Sequence, residues 1–198
     1  IIDEESGDNP DRPSGAFAVP GTYTATLNAR VDGMTTELAG PVSFDVVDIT
    51  RSALSGSSRA DATAFQRQVA EAQAAVAAAN TTVSELMEKV GLYRMALDRA
   101  SGGAGLEGQF EAIRDALYAI DEALNGKRSQ AGTGARPATI TSRVNFAVRS
   151  GSGTYGPTPQ SHEQLGYAMD AFADAKSHLS TLTGTTIPAF EAAMDTAG

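Results

Sequence analysis

The chain has no cysteine and no tryptophan, and aromatic side chains make up only 6% of its 198 residues. The absence of cysteine excludes disulfides, thiolate nucleophiles and zinc–thiolate sites, and it suits a bacterial protein that works outside the cytoplasm. The low aromatic content, together with abundant alanine, favours closely packed helices over a bulky sandwich core. We therefore expect a largely helical protein without a cofactor.

Long apolar runs and positive charge are also scarce. No run of about 18 apolar residues occurs, so no membrane span is predicted. Acidic residues outnumber basic ones by 24 to 15, and the net charge of −9 disfavours nucleic acid as a partner. The chain starts at Ile1 rather than Met, without a signal-peptide pattern, which predicts a trimmed or processed piece of a longer polypeptide.

The first quarter of the chain predicts an arm and a β-hairpin. Residues 1–19 are acidic and broken by Pro and Gly, a composition typical of an extended arm. In PGTYTATLNARVDG, which follows, apolar and polar residues alternate up to Asp32-Gly33, a strong two-residue turn signal. A return strand over 34–47 is interrupted at Gly40-Pro41, where proline cannot donate to the ladder and a bulge or an edge position is expected. The hairpin unit is predicted to span 20–54.

After the linker SGSSR, the apolar period changes from two to three and four. An unbroken 4-3 spacing predicts one helix of about 40 residues. Its apolar positions are Phe65, Val69, Ala72, Val76, Ala79, Val83, Leu86, Val90, Tyr93, Leu97 and Ala100.

Shorter apolar periods predict helices over 106–124, from Pro137 to Arg149, and over 165–182. Gly184 is predicted to cap the last of these, and Pro188 to open a short fifth helix. The second and third predicted helices together match the long helix in length, and so do the fourth and fifth. This match predicts an elongated antiparallel bundle with three legs over 60–198. The predicted fold class is α+β, mostly α.

The order of hairpin and helices resembles a known family. AVPGTYTATLNARVDG, FDVVD and PAFEAAMDTAG resemble the C-terminal tail of large secreted bacterial β-propeller proteins of the sortilin-like (VPS10) group with BNR/Asp-box repeats, often labelled glycosyl hydrolases. The resemblance implies that the hairpin is part of an immunoglobulin-like unit. The family usually shows Asp-Pro-Arg after the hairpin, whereas Ile49-Thr50 separates Asp48 from Arg51 here. The propeller, where sialidase-like chemistry would reside, is not in this chain, so we do not carry the hydrolase label over.

Several short patterns have residue types or spacings found in chemical sites. GAGLEG matches a dinucleotide fingerprint but lies between two helices, so it predicts a turn. Asp170, Asp174 and His178 have helical spacing for a metal ridge, but they fall on the side opposite the apolar stripe. His162 has no catalytic partner at a recognisable spacing. A Ca²⁺ site in the arm is the weaker alternative to a solvated acidic stretch, and its ligands would be Asp3, Glu4, Glu5, Asp8 and Asp11.

Two features predict contact with another protein chain. A lone hairpin is marginal in water, and this one carries an apolar face that includes Tyr23, Leu27, Val31 and Phe44. The segment 127–161 holds five basic residues and no acidic one; they are Lys127, Arg128, Arg136, Arg143 and Arg149. This basic segment is either a solvated loop or a docking face for an acidic protein surface or anionic head groups.

These patterns predict a non-catalytic interaction module, periplasmic or secreted, that serves as an accessory subunit of a larger assembly. The assembly could be a membrane complex facing the periplasm. The alternative is the accessory C-terminal domain of a glycan-processing β-propeller enzyme.

Overall fold

The protein is a two-stranded antiparallel hairpin followed by a helical bundle, as the sequence predicts. The computed structural model describes residues 18–49, 56–100, 103–127, 137–151, 153 and 155–197, so most of the predicted acidic arm lies outside the described residues. The elements are β1 (Gly21–Val31), β2 (Met34–Val46), α1 (Arg59–Leu97), α2 (Glu107–Asn125), α3 (Ile140–Gly151), α4 (Pro159–Thr181) and α5 (Ile187–Ala197).

The helices form three legs that run up, down and up. Helix α1 is the first leg, α2 and α3 in succession form the second, and α4 with α5 forms the third. The end of α3 lies at the start of α1, where a Cβ added to Gly151 would meet the Phe65 ring at 2.6 Å. Helix α5 reaches the far end of α1, where the Phe190 and Tyr93 rings pack edge to face, 5.3 Å apart. The second leg is therefore antiparallel to the other two.

The core follows the apolar stripe of α1 along its length. Every predicted stripe position from Phe65 to Leu97 is buried except Leu86, which is half-buried against the same core. Phe110, Ile113 and Leu117 of α2 pack into it from the second leg. The 4-3 spacing thus gives the core face of the helix.

Helix α3 begins after Thr139 rather than at Pro137, contrary to the sequence prediction. Thr139 Oγ1 accepts the Ser142 N–H at 3.1 Å, and Ser142 Oγ accepts the Thr139 N–H at 2.8 Å. Thr158 and Ser161 make the same reciprocal pair at the start of α4, at 3.2 and 3.1 Å. Each pair satisfies backbone donors that a helix start leaves free.

The third leg is continuous, so the prediction that Gly184 caps α4 is wrong. A π-helical turn over Leu182–Thr186 joins α4 to α5, and the Ile187 N–H donates to the Leu182 carbonyl five residues back. Pro188 has no N–H, and its ring would crowd the carbonyl of residue 184 in a regular α-helix. The wider turn accommodates Pro188 and keeps both Leu182 and Ile187 in the core.

A polar network lies where α2 ends, against the middle of α1. The Asn125 amide donates to Asn80 Oδ1 at 2.7 Å and to Asp121 Oδ1 at 2.8 Å, while its oxygen accepts the Thr141 hydroxyl at 3.2 Å. Asp121 is buried. The network connects three helices at the break in the second leg.

A second polar cluster fastens α5 to α1. Lys89 Nζ lies 2.6 Å from Glu191 Oε1, and the Tyr93 hydroxyl donates to the same carboxylate. The hydrogen bond from Lys89, and then that from Tyr93, lowers the pKa of Glu191 below its ordinary 4.5. Burial, followed by the bond to Glu191, raises the pKa of Tyr93.

Leu117→Ala should lower the free energy of unfolding by about 2–5 kcal/mol, because the side chain is only 2% exposed and its loss leaves a cavity. Leu92→Ala is the matched control: it makes the same chemical change on a side chain that is 60% exposed, and it should cost less than about 0.5 kcal/mol. Urea denaturation followed by circular dichroism measures both. Equal losses in the two variants would contradict the assigned core.

Glu191→Gln should destabilise the protein at pH 7 by less than about 1 kcal/mol, because the ion pair is largely solvated. The lowered pKa of Glu191 means that its contribution is complete above the unfolded carboxyl pKa of about 4.5 and is lost as pH falls through the folded value. Denaturation at several pH values should show the difference from wild type shrinking toward zero in acid. Glu88→Gln, at an exposed position of α1, is the control. If the destabilisation caused by Glu191→Gln did not depend on pH, the ion pair would be ruled out as its cause.

Candidate interaction surface

The hairpin turn is the one that Asp32-Gly33 predicts. Asp32 has φ 50° and Gly33 has φ 81°, so both central residues adopt the positive φ that a type I′ turn requires. Val31 pairs with Met34 across the turn. This geometry fixes the register that follows.

Strand β2 is irregular where the sequence predicts an interruption. Leu27 pairs with Ala39 and Ala25 with Val42, so Gly40-Pro41 opposes the single residue between them. Gly40 has φ 123°, and a Cβ there would lie 2.8 Å from the Ala25 carbonyl oxygen. The bulge therefore requires glycine at this position.

The apolar face of the hairpin is open to solvent. Tyr23 and Phe44 stack across the strands with ring centroids 6.1 Å apart. The large exposed side chains of the two strands, with their exposed fractions, are Tyr23 37%, Leu27 59%, Val31 67%, Met34 76%, Leu38 60%, Val42 64% and Phe44 50%. The helical bundle does not cover these side chains, and a cluster of this kind is typical of a protein contact surface.

The hairpin is held at its open end by polar contacts. Thr22 Oγ1 donates to Asp45 Oδ1 at 2.8 Å, and the Tyr23 hydroxyl donates to the Val19 carbonyl at 2.8 Å. Arg59 at the start of α1 forms an ion pair with Asp48 at 3.1 Å, with both side chains more than a third exposed. These solvated contacts do not extend the bundle core into the sheet.

The predicted basic segment is only partly described. Arg128 and Arg136 lie outside the described residues. Lys127 pairs with Glu122 at 3.3 Å, so its charge is partly offset. Arg143 stacks over the Tyr167 ring at 5.3 Å and donates to Gln164.

Arg143 and Arg149 both lie on α3, about 9 Å apart along its axis. That helix contains no acidic residue and ends beside the start of α1, the end at which the hairpin joins the bundle. The structure therefore places these two arginines in the half of the bundle nearer the hairpin.

The weaker chemical patterns have structural explanations. GAGLEG forms the turn before α2, where a Cβ on Gly103 would lie 2.4 Å from the Leu97 carbonyl oxygen, so glycine is needed for close packing. Asp170, Asp174 and His178 are exposed on α4. Among the residues that the structure describes, no three His, Asp or Glu side chains are placed to hold a metal ion.

A cavity of about 760 Å³ lies at the gap between α2 and α3. Its hydroxyl groups are those of Thr139 and Ser142, which already serve as helix caps. Its charged side chains, Glu122 and Lys127, pair with each other. Among the described residues that line the cavity, no nucleophile thus lies next to a base, the arrangement that covalent catalysis needs.

The exposed apolar surface of the hairpin is larger than the four hairpin residues that the sequence predicts as a contact surface. Met34 and Leu38 also expose apolar side chains. Alternation alone misses Leu38, because a second register shift, between Leu27 and Asn28, leaves Leu38 without a partner on β1.

Comparison with protein-family models, curated proteins and solved structures finds no match to this chain. The resemblance to sortilin-like propeller proteins therefore stays a prediction. Within the described ranges, no helix is both long and apolar enough to cross a membrane.

Phe44→Ser and Val42→Ser should reduce the fluorescence of the apolar dye bis-ANS bound to the native protein, because both positions are at least half exposed. The melting temperature of the helices should stay within about 2 °C of wild type, since these side chains are not in the bundle core. Leu92→Ser, on the exposed surface of α1, is the control for a single exposed apolar residue. A melting temperature lowered by Phe44→Ser as much as by a core substitution would show that the bundle covers the hairpin.

Proposed function

We propose that this chain is a non-catalytic interaction module whose hairpin is covered by another polypeptide chain. The observation that supports the proposal is the exposed apolar face of β1 and β2 beside a bundle that has a complete core of its own. The protein would act by contact, as an accessory subunit of a larger assembly outside the cytoplasm.

The energetics of a two-stranded sheet favour this function. An isolated hairpin is marginal in water, because it buries too little apolar surface to offset the ordering of its backbone. Strands β1 and β2 have 11 and 13 residues, which is long for strands on which no layer formed by the described residues packs. A partner supplies that layer, and strand edges also offer it backbone hydrogen bonds.

The two described arginines of α3 favour an acidic surface on the partner. Arginine pairs carboxylates at two points, and the rest of the molecule is strongly negative. Such charges contribute mainly to the encounter rate and to its salt dependence. Anionic head groups at a membrane complex that faces the periplasm are also negatively charged, so they would attract the same two arginines.

The non-catalytic role in this proposal comes from the sequence, in which neither His162 nor His178 has a catalytic partner at a recognisable spacing. The second candidate function, the accessory C-terminal domain of a glycan-processing propeller, is favoured by the resemblance of PGTY and PAFEAAMDTAG to that family. In both functions the hairpin contacts another protein surface. That surface lies on the same polypeptide if the chain is an accessory domain, and on another polypeptide if it is an accessory subunit.

Hydrogen exchange on a dilute, demonstrably monomeric sample tests the contact function. Amides of residues 22–31 and 42–46 should exchange at least about 100-fold faster than those of Val83 and Ile113, because the hairpin opens without disturbing the core. Gly40→Val gives the reference rate for a broken hairpin, since its Cβ would clash with the Ala25 carbonyl. Slow exchange across both strands of the monomer would show that the hairpin is covered from within, and the contact function would be wrong.

A further inference from the structure

The two edges of the hairpin differ. Strand β2 carries both register shifts and Pro41, devices that keep an edge from pairing with another strand. Strand β1 is regular over Gly21–Val31, has no proline, and bears a single charged side chain, Arg30. The edge of β1 is therefore the one built to accept a further strand.

The backbone groups on the edge of β1 can be assigned from the turn. A two-residue turn makes Val31 and Met34 a hydrogen-bonded pair, so the N–H and C=O of Val31 point toward β2. These directions alternate along the strand, and the extra residues of both bulges lie in β2, so the alternation continues through β1. The residues whose N–H and C=O point outward are Thr22, Thr24, Thr26, Asn28 and Arg30.

The side chains of β1 are complementary to those of a second, antiparallel β1. When Thr26 of one copy lies opposite Thr26 of the other, the whole strand is paired and outward backbone groups face each other. On the apolar face, each large side chain then lies opposite a small one. The pairs are Tyr23 with Ala29, Leu27 with Ala25, and Val31 with Gly21.

Charge is complementary in the same register. Arg30 lies opposite Thr22 of the second copy, whose hydroxyl bonds Asp45 at 2.8 Å. Thr22 and Asp45 are paired in the sheet, so their side chains share a face with that of Arg30. Antiparallel pairing thus directs each arginine at the other copy's carboxylate, whereas parallel pairing would put the two Arg30 side chains side by side.

The geometry points to a second copy of this chain as the occupant of the β1 edge, giving a four-stranded sheet with the order β2, β1, β1, β2. This inference rests on the proposed contact function and names its first partner. Pairing turns a marginal hairpin into a sheet of a size that is stable.

Sedimentation equilibrium over a dilution series tests the pairing. We expect a monomer–dimer equilibrium in which Thr24→Pro raises the dissociation constant by roughly tenfold or more, because each copy loses an outward N–H donor. Thr35→Pro is the matched control, since it removes an outward N–H from the edge of β2, and it should leave the constant unchanged. Wild-type protein that stays monomeric up to about 0.5 mM overturns this inference, and contact with a different polypeptide then remains as the proposed function.

Charge reversal tests the register independently of strand folding. Arg30→Glu should weaken the dimer by directing a carboxylate at Asp45 of the second copy, and combining it with Asp45→Arg should restore the dissociation constant. Residue-resolved amide exchange should show the outward amides of β1 slowing as the dimer forms. Equal weakening by both proline variants, or no recovery in the double variant, overturns pairing through β1.

Discussion

The bundle depends on one constraint: the apolar stripe of a 39-residue helix, about 58 Å long, has to be covered along its whole length. Neither return leg does this as a regular α-helix. The second leg breaks between α2 and α3, and the third contains a π-helical turn. Buried apolar side chains flank both irregularities, Leu124 and Ile140 in the second leg and Leu182 and Ile187 in the third, so each leg deviates from regular geometry without leaving the core.

Polar groups at each irregularity form hydrogen bonds there. At the break in the second leg, the Asn125 side chain bonds partners on α1, α2 and α3. In the third leg, the turn before Pro188 moves the Ile187 N–H onto a carbonyl five residues back. The distorted geometry is tolerated because it leaves these polar groups hydrogen-bonded. A buried polar group without a partner would cost more free energy than the distortion of the helix.

The hairpin differs from the helices, since none of its described residues belongs to the core of the bundle. Its connection to α1 includes a solvated ion pair, and its apolar side chains stay exposed. In the proposed dimer, pairing of two β1 edges would join the apolar faces of two hairpins into one continuous surface. A larger assembly could cover that surface, so the proposed dimer and the proposed accessory role are compatible.

Local patterns in the sequence were sufficient for much of the fold. Asp32-Gly33 determined the turn because few residue pairs adopt positive φ, and the 4-3 spacing determined the face of α1 because helical period and burial coincide. The start of α3 was misplaced, and the break expected at Gly184 between α4 and α5 does not occur. Pro137 and Gly184 give valid helix signals, but the Thr139–Ser142 pair and the packing of Leu182 and Ile187 outweigh them.

The exposed apolar surface of the hairpin was predicted in part from local patterns. Alternation identified Tyr23, Leu27, Val31 and Phe44 as one apolar face, but it could not show that the bundle leaves this face exposed. It also could not show that both bulges lie in β2, which makes the two edges unequal. The sequence by itself determined which side chains share a face, because that depends on backbone period. Only the tertiary structure decided which faces are buried, because that depends on contacts between residues far apart in the chain.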